Sequence, residues 1–303
     1  MAISRAQLVK ELEPGLNALF GLEYDRYTNE TAEIFTTETS DRAFEEEVML
    51  SGFGGAATKA EGAAVTFDDA KEAFTARYTH QTVALAFAIT EEAIEDNLYD
   101  RLGNRYARAL ARSMANTKQV KGAEILNNAF STSQLGGDGV VLCSTAHPTV
   151  SGTSLSNTFS TQADLSETSL ESALINIAAF IDERGLKISI QGTKLILPKE
   201  LQFTAERILK SPLRVGTADN DINAIANMNM IPEGYRVNHY LNDTNAWFIK
   251  TDTPNGFKHF VRAALRTAME CDFDTGNVRY KARERYSFGF SDPRCVYGSS
   301  GST

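Results

Sequence analysis

The amino-acid sequence predicts an α+β fold in which one long helix and a compact mixed domain carry two extensions that cannot fold alone. Three observations predict it. Apolar residues recur at every fourth position for several turns after Thr90, and short β-branched runs bounded by Gly, Asn and Asp occur on both sides of that helix. Two further stretches are too poor in large apolar residues to form a core. The chain therefore combines self-sufficient segments with segments that need a surface to lie on.

Composition limits the class of protein before any motif is considered. The chain has 303 residues, a hydrophobic fraction of 42% and a formal net charge of −9. The length suits two modest domains, and the acidic balance argues against a dedicated nucleic-acid binder. No run approaches the ~20 apolar residues that a membrane helix needs, and no signal peptide is recognisable. We therefore expect no membrane partner and a protein that stays in the cytoplasm where it is made.

Residues 1–43 are predicted to form an N-terminal arm. Ser4 can cap a short amphipathic helix, which Pro14–Gly15 is expected to interrupt. From Phe20 to Ser40 the residues are mostly polar with scattered aromatics, so they cannot form a core of their own. This segment should become ordered only by lying on another surface.

Residues 44–79 are predicted to form a projecting hairpin. Strand candidates at 48–50 and 64–67 flank a glycine-rich stretch, and a longer strand candidate covers 75–89. Because the projection is poor in large apolar residues, it needs a partner for stability. Its acidic root and its tip supply the candidate contact residues Glu45, Glu46, Glu47, Phe53 and Lys59.

The strongest periodic pattern predicts a helix from Glu91 to about residue 128. Thr90 can cap it, and the acidic residues of its first turn suit the helix dipole. At 1.5 Å per residue it would be about 55 Å long, more than a small domain needs. A second stripe of the helix, which is either a solvated face or an interface, carries Arg101, Arg105, Arg108 and Arg112.

Residues 166–265 are predicted to form the compact mixed domain, after a unit of residues 80–165 that contains the long helix. An amphipathic helix capped by Thr168 and Glu171 comes first and ends at Gly185. Helix and strand then alternate, as in an α+β domain, through a buried strand at 194–197, a helix from Pro198 to about Lys210, and a hairpin that pairs 235–241 with 246–250.

Residues 266–303 are predicted to return to the first unit as strands and to end in a flexible tail from Gly298 onward. Basic residues alternate with other residues over one of these strands, with a period of two. Such a strand presents one strongly basic face, here formed by Arg279, Lys281, Arg283 and Arg285.

The motifs of common enzymes and metal sites are missing from the sequence. Four histidines share no metal-ligand spacing, and three widely spaced cysteines indicate a reducing compartment rather than a disulfide framework. Asp219, Asp221 and Asn223 imitate the first ligands of a calcium loop, but its glycine and glutamate positions hold other residues. A Walker lysine, a nucleophile elbow and a dinucleotide-binding glycine pattern are lacking. We therefore predict no catalytic residue, no cofactor and no metal ion.

A series of short motifs resembles the Mu-like major head subunits of tailed bacteriophages. Each motif is short, but their shared order is fairly specific and extends over nearly the whole chain. The motifs are Gln7–Leu12, Leu16–Phe20, Phe44–Glu46, Gly52–Gly54, Lys59–Gly62, Ile89–Asp96, Asn127–Phe130 and Ala218–Asn223.

This resemblance implies a Hong Kong 97-type capsid fold and the role of a major capsid protein. In that fold residues 1–43 would be the N-arm, 44–79 the extended loop over a neighbouring subunit, and 166–265 the axial domain. Residues 80–165, with the spine helix at about 91–128, and the returning strands of 266–303 would form the peripheral domain.

The resemblance also implies what the protein assembles with. Copies of the chain would form the pentamers and hexamers of an icosahedral virion capsid around packaged double-stranded DNA, without sequence-specific binding. Assembly would take place in the cytoplasm of the infected bacterium. A scaffolding protein, a portal and a decoration protein are the further partners that it suggests.

The sequence departs from the family pattern at two points. A long helical scaffolding region that opens some relatives is missing, so we expect a separate scaffolding protein or a processed chain. Some relatives cross-link lysine to asparagine, but no partner asparagine can be nominated for Lys59, which is expected to be an ordinary contact residue. Three alternatives stay open: an encapsulin-like compartment, a tail or accessory protein that forms rings or tubes, and a soluble enzyme without a recognisable motif.

Overall fold

The chain folds into two mixed four-stranded sheets, two antiparallel two-stranded sheets and six α-helices among the described residues. The computed structural model describes residues 5–95, 99–214, 221–272 and 274–302, without the side chains of 5–12 and 94–102. The helices are α1 (Arg5–Arg26), α2 (Glu91–Glu95), α3 (Tyr99–Asn127), α4 (Glu167–Ala178), α5 (Gln202–Lys210) and α6 (Ala224–Asn227). The strands are β1 (Thr36–Thr39), β2 (Phe44–Leu50), β3 (Glu72–Thr79), β4 (Gln81–Ile89), β5 (His147–Pro148), β6 (Ser154–Leu155), β7 (Gly192–Leu197), β8 (Tyr235–Val237), β9 (Trp247–Thr251), β10 (Phe257–Cys271), β11 (Val278–Phe290) and β12 (Val296–Ser299).

The first sheet has the strand order β1-β10-β11-β4. Its centre is the antiparallel pair of β10 and β11, which runs from Phe257 opposite Phe290 to Cys271 opposite Val278. Helices α1 and α3 cover one face of this sheet through a shared apolar cluster, namely Leu16, Phe20, Ala107, Leu110, Ala111, Met114, Tyr280 and Ala282. Strand β10 runs without a break across residue 266, where the sequence suggested a domain boundary.

The long helix matches its sequence pattern closely where it is described. Thr90 Oγ1 accepts a hydrogen bond from the Ala93 N–H at 3.4 Å, which confirms the predicted cap of α2. Helix α3 ends at Asn127, one residue before the predicted end. Leu110 and Met114 of the periodic pattern are buried and Tyr106 is 47% exposed, whereas the side chains of the members before Tyr106 lie outside the described residues.

The predicted interruption of the N-terminal helix is wrong. Helix α1 continues through Pro14 to Arg26. Pro14 is exposed, and burial of Leu16 and Phe20 against α3 and β11 offsets the backbone hydrogen bond that a proline removes. The Tyr280 hydroxyl donates to Asn17 Oδ1 at 2.7 Å, which further ties α1 to the sheet.

The polar segment that follows α1 lies on its own chain. Ile34 and Phe35 are buried in the apolar cluster that joins the two sheets, and β1 pairs in parallel with β10. The predicted need for a supporting surface is therefore met within the subunit. The seam between the sheets also includes Ile125, Ile196, Phe248 and Phe290, so both sheets share one core.

Two strand predictions near the hairpin are wrong. Residues 64–67 form no strand, and Val65 and Phe67 are exposed. The long strand predicted over 75–89 is two strands, β3 and β4, because the chain passes at His80 from the hairpin to the first sheet. His80 is buried there and forms hydrogen bonds with the hydroxyls of Ser40 at 2.9 Å and Ser287 at 3.0 Å.

The second sheet has the strand order β12-β9-β7-β8 and confirms the buried strand at 194–197. The predicted hairpin of 235–241 with 246–250 is wrong, since β8 and β9 pair with opposite edges of β7. The capping box of α4 consists of Ser166 and Ser169, two residues before the predicted pair. The first turn of α4 therefore starts earlier, and the helix ends at Ala178 rather than Gly185.

The predicted flexible tail is also wrong in its first residues. Gly298 and Ser299 belong to β12, which pairs with β9. A side chain at Gly298 would meet Cys143 and Phe248, so this position holds glycine because the backbone approaches the core closely. The Ser302 hydroxyl donates to Asp164 at 2.6 Å, so the C-terminal segment is bound to the segment that precedes α4.

We expect the free energy of unfolding to fall as the pH is lowered from about 6.5 to about 4. Burial, and then the nearby Lys118 ammonium, lower the pKa of His259 from 6.5 to about 4. In this pH range the unfolded chain binds a proton that the folded state excludes, so acid favours unfolding, by up to about 3 kcal/mol. His80, whose pKa is lowered by burial and by Arg285, acts in the same direction.

Urea unfolding at a series of pH values measures this effect. His259→Gln should flatten the pH dependence, because it removes the group whose pKa burial lowers. Equal slopes in the wild type and His259→Gln would contradict the assignment.

Candidate functional site

The hairpin of β2 and β3 presents two chemically different faces. Its register runs from Phe44 opposite Thr79 to Leu50 opposite Glu72, with an irregularity after Val48. Alternation along β2 places Glu45, Glu47 and Met49 towards the body of the protein, where they are half-buried. The opposite face carries three apolar side chains with increasing exposure, Phe44 at 38%, Val48 at 44% and Leu50 at 66%. The outer face of the hairpin thus exposes apolar side chains to solvent in the isolated subunit, beside the charged Glu46 and Arg77.

A buried guanidinium, that of Arg294, contacts the hairpin near the tip end of β2. It forms ion pairs with Glu183 and, at 3.1 Å, with Asp292, and its Nε donates to the Ile181 carbonyl at 2.9 Å. Its Nη1 lies 4.0 Å from the sulfur of Met49 on β2. Arg294 therefore joins the hairpin, the turn after α4 and the segment before β12 at one point.

The acidic run at the hairpin root finds partners within its own chain. Glu45 accepts a hydrogen bond from Ser40 at 2.6 Å, and Glu47 forms an ion pair with Lys258 at 3.2 Å. Burial lowers the pKa of Lys258, but its bonds to Glu38 and Glu47 outweigh that effect and raise it. The two inward-facing carboxylates of the run are therefore occupied in the subunit.

Glu46 is the member of the acidic run that faces solvent. It lies 3.7 Å from Arg77 in an exposed ion pair. The same guanidinium lies 3.9 Å above the ring of Phe44. Such a pair is weak on its own, but it holds the outer face of the hairpin in order.

The tip of the hairpin, residues 51–71, is almost entirely exposed. Phe53 is 62% exposed, Val65 65% and Phe67 96%, and Lys59 is exposed beside them. One anchor holds the tip. The Gly54 N–H and then the Arg184 guanidinium lower the pKa of Asp68, whose carboxylate Arg184 contacts at 2.7 Å. A set of large apolar side chains is thus presented to solvent at the end of an anchored projection.

Both basic stripes predicted from the sequence are exposed. Arg105, Arg108 and Arg112 lie on the outer side of α3 without an ion pair among the described residues, and the Arg101 side chain is outside that description. On β11 the predicted alternation is confirmed, since Arg279, Lys281 and Arg283 are exposed, Arg285 is half-buried, and the residues between them are buried.

The structure does not bring the acidic run and the basic stripes together within one subunit, and their roles at an interface between subunits stay predictions. It also shows two residues that the sequence analysis missed. Arg294 and Lys258 are distant in sequence from the hairpin residues they contact, which hides them from local patterns. One signal could have indicated Arg294, because a charged residue followed directly by the apolar run of β12 needs a buried partner.

Nothing among the described residues forms a recognisable catalytic or metal site. A groove of about 670 Å³ beside β8 contains charged side chains, but Glu33 pairs with Arg236 and Lys194, and Glu30 pairs with His239. In the part of the chain that the structure covers, no group of three or more His, Cys, Asp or Glu residues is placed to hold a metal ion. No described helix is long and apolar enough to cross a bilayer.

Solved structures of shells share this fold. The procapsid of bacteriophage JBD30 matches with a TM-score of 0.56 and 14% identity, over 99% of this chain and 77% of that chain. The capsid of the empty GTA particle matches with a TM-score of 0.54 and 14% identity, over 89% of each chain. A virus-like particle from Pyrococcus furiosus matches with a TM-score of 0.53 and 10% identity, over 94% of this chain and 98% of that chain. The fold is therefore that of Hong Kong 97-type capsid proteins, which are shell-building subunits.

The sequence itself assigns the family. The family model described as phage capsid protein matches residues 72–299, so the chain belongs to the phage capsid protein family. It is a major capsid protein, which forms the icosahedral shell of a phage. Comparison with curated proteins finds no match, and membership of the Mu-like subfamily stays a prediction.

Replacement of Arg294 by alanine should destabilise the subunit by about 3–5 kcal/mol, because it leaves the Glu183 carboxylate buried without its ion pair. Urea unfolding measures the loss of stability. Amide exchange of residues 44–50 should be faster than in the wild type, because β2 loses its contact with Arg294. Arg184→Ala is the matched control. It breaks a more exposed ion pair with Asp68 and should cost less than about 1 kcal/mol. Equal losses in the two variants would contradict the role of Arg294.

Proposed function

We propose that copies of this chain form pentamers and hexamers that close an icosahedral head around packaged double-stranded DNA. The observation that carries this proposal is the hairpin, which the Glu47–Lys258 ion pair ties to the body and whose outer face and tip expose Leu50, Phe53, Val65 and Phe67. Large exposed apolar side chains of this kind favour burial against another protein. A contact between different patches of identical subunits generates rings and, with suitable curvature, closed shells.

The fold suggests a role for each segment. We assign residues 1–43 to an N-arm, 44–79 to an extended loop that covers a neighbouring subunit, and 166–265 to an axial domain around the capsomer axis. Residues 80–165 and 266–303 would form the peripheral domain. Strand β10 belongs to both the axial domain and the peripheral domain. It would therefore couple movements of the axial domain to the peripheral sheet.

The remaining partners follow from the same role. A scaffolding protein, a portal and a decoration protein would act with the shell, and assembly would take place in the cytoplasm of the infected bacterium. We assign a structural role alone, without catalysis, because charged side chains in the groove beside β8 are engaged in ion pairs. The contacts of the shell with DNA would be independent of base sequence.

A shell compartment that encloses protein cargo is the second candidate. The structural likeness to the virus-like particle from Pyrococcus furiosus extends over nearly all of both chains. This likeness supports the compartment as a second candidate. The contents of shells purified from the natural source separate the two. Packaged DNA supports the phage head, whereas an enclosed enzyme supports the compartment.

The double variant Phe53→Asp, Phe67→Asp should abolish shell formation while the subunit stays folded. Two carboxylates in the apolar tip would have to be desolvated at the contact, and each unpaired buried charge costs several kcal/mol. Negative-stain electron microscopy with size-exclusion chromatography measures assembly, and circular dichroism checks the fold. Lys59→Ala, in the same exposed tip, should still assemble. Normal shells from the double variant would rule out the tip as an interface.

Reversal of charge on α3, in Arg105→Glu with Arg108→Glu, should prevent assembly without unfolding the monomer. Both side chains are exposed and carry no ion pair among the described residues, so the subunit does not depend on them. Exposed pairs contribute only about 0.2–1 kcal/mol each, but the contact repeats over every interface of a shell. Arg105→Lys with Arg108→Lys keeps the charge and should assemble in the same sedimentation assay. Shells from the reversed variant would remove this stripe from the interface.

A further inference from the structure

The first sheet has a second face, opposite α1 and α3, that is bare and basic beyond the hairpin root. Arg279, Lys281, Arg283 and Arg285 point to this face from β11, since the residues between them are buried on the helix side. Arg266 joins them from β10, because it lies directly opposite Arg283. We call these five residues, together with Arg262, the basic sheet face.

Neighbouring positions on this face are small. Strand β4 places Ala84, Ala86 and Ala88 opposite Arg283, Lys281 and Arg279, and β10 places Ala268 opposite Lys281. The basic side chains therefore lie between rows of alanine, whose small side chains leave room for the basic groups to reach a common ligand. The acidic residue in this register is Glu270, opposite Arg279 at the far end.

The positive charge on this face is poorly compensated within the subunit. Arg266 and Arg283 form a like-charge cross-strand pair, an arrangement that destabilises a sheet. Lys281 and Arg283 have no ion pair among the described residues, whereas Arg279 contacts Asp272. The Nε atoms of Arg262 and Arg285 are buried without a hydrogen-bond acceptor in the described part of the chain. Exposed cations without an acidic partner attract anions, so this face is suited to an anionic ligand.

The subunit's own acidic run is a poor candidate for that ligand. Glu45 and Glu47 are already bound to Ser40 and Lys258, and Glu46 is paired with Arg77, so a neighbouring copy would have to break these contacts to offer any of them. An extended polyanion is the ligand that fits a row of cations. Alternate residues of a strand lie about 6.7 Å apart, so the stripe forms a row of cations along β11. Arginine, which predominates here, binds phosphate oxygens in bidentate fashion.

We propose that the basic sheet face binds the sugar-phosphate backbone of double-stranded DNA, independently of sequence. The choice of DNA as the polyanion rests on the proposed function, whereas the anion-binding character rests on the sheet itself. Contacts to phosphates alone carry no sequence information, and their strength falls steeply with salt. The face would thus hold DNA weakly and reversibly in a protein whose net charge is −9.

The test is fluorescence anisotropy of a labelled duplex titrated with the full-length chain at about 50 mM and about 200 mM salt. The triple variant Arg279→Glu, Lys281→Glu, Arg283→Glu should bind at least about tenfold more weakly at low salt. The slope of affinity against salt should fall by roughly 2.7, since each phosphate contact contributes about 0.9. The matched control Lys187→Glu, Lys199→Glu, Arg207→Glu reverses three exposed cations outside the basic sheet face. It should keep the wild-type salt slope.

Four outcomes decide between these possibilities, with electron microscopy of shells recorded in parallel. Loss of binding and of salt slope in the triple variant alone supports the proposal, provided that its thermal unfolding matches the wild type. Equal weakening in both variants shows a net-charge effect and overturns it. Unchanged DNA binding with loss of shells in the triple variant also overturns it, because the face would then contact another copy. Wild-type shells without DNA binding would sink this inference and leave the proposed function intact.

Discussion

The burial of one guanidinium, that of Arg294, is the constraint on which the arrangement of the parts depends. A buried charge is costly unless ion pairs and hydrogen bonds surround it. Glu183, Asp292 and the Ile181 carbonyl supply them here, from the turn after α4 and the segment before β12. Met49, near the tip end of β2, lies against the same group, so this packing also holds the hairpin against the body. A hydrophobic contact alone would allow more directions, since it is not directional.

A fixed root and an exposed tip suit a subunit that must meet identical copies at defined angles. The inward face of the hairpin uses its charges for anchoring, through Glu47 and Lys258, and its outward face and tip keep their apolar side chains free. The hairpin is therefore ordered before it finds a partner, and less conformational entropy is lost when it binds. The same division explains why two strands with no core of their own are stable in the subunit, since the body provides that core.

Charge is distributed unevenly over this acidic chain. Carboxylates are engaged at the junctions of the fold, where Glu183, Glu47 and Glu33 hold Arg294, Lys258 and Lys194. Among the described residues, Arg105, Arg108 and Arg112 on α3 and Lys281 and Arg283 on the basic sheet face have no ion pair. Electrostatic attraction is thus used within the subunit for geometry and left open on its surface for partners. Both open surfaces predict assembly and binding that weaken as salt screens exposed charges.

The sequence by itself determined the features that depend on near neighbours. Local chemistry explains the period of two on β11, the cap of α2 at Thr90 and the end of α3 at Asn127. The order of the short motifs along the chain gave the family resemblance. Only the tertiary structure decided that α1 passes through Pro14, that the chain breaks its strand at His80 and that the acidic run is satisfied internally. These outcomes depend on contacts such as that of Glu47 with Ser291, 244 positions apart. Local propensities differ by about 1 kcal/mol or less for most residues, so burial and buried charge, which are larger and act between distant segments, override them.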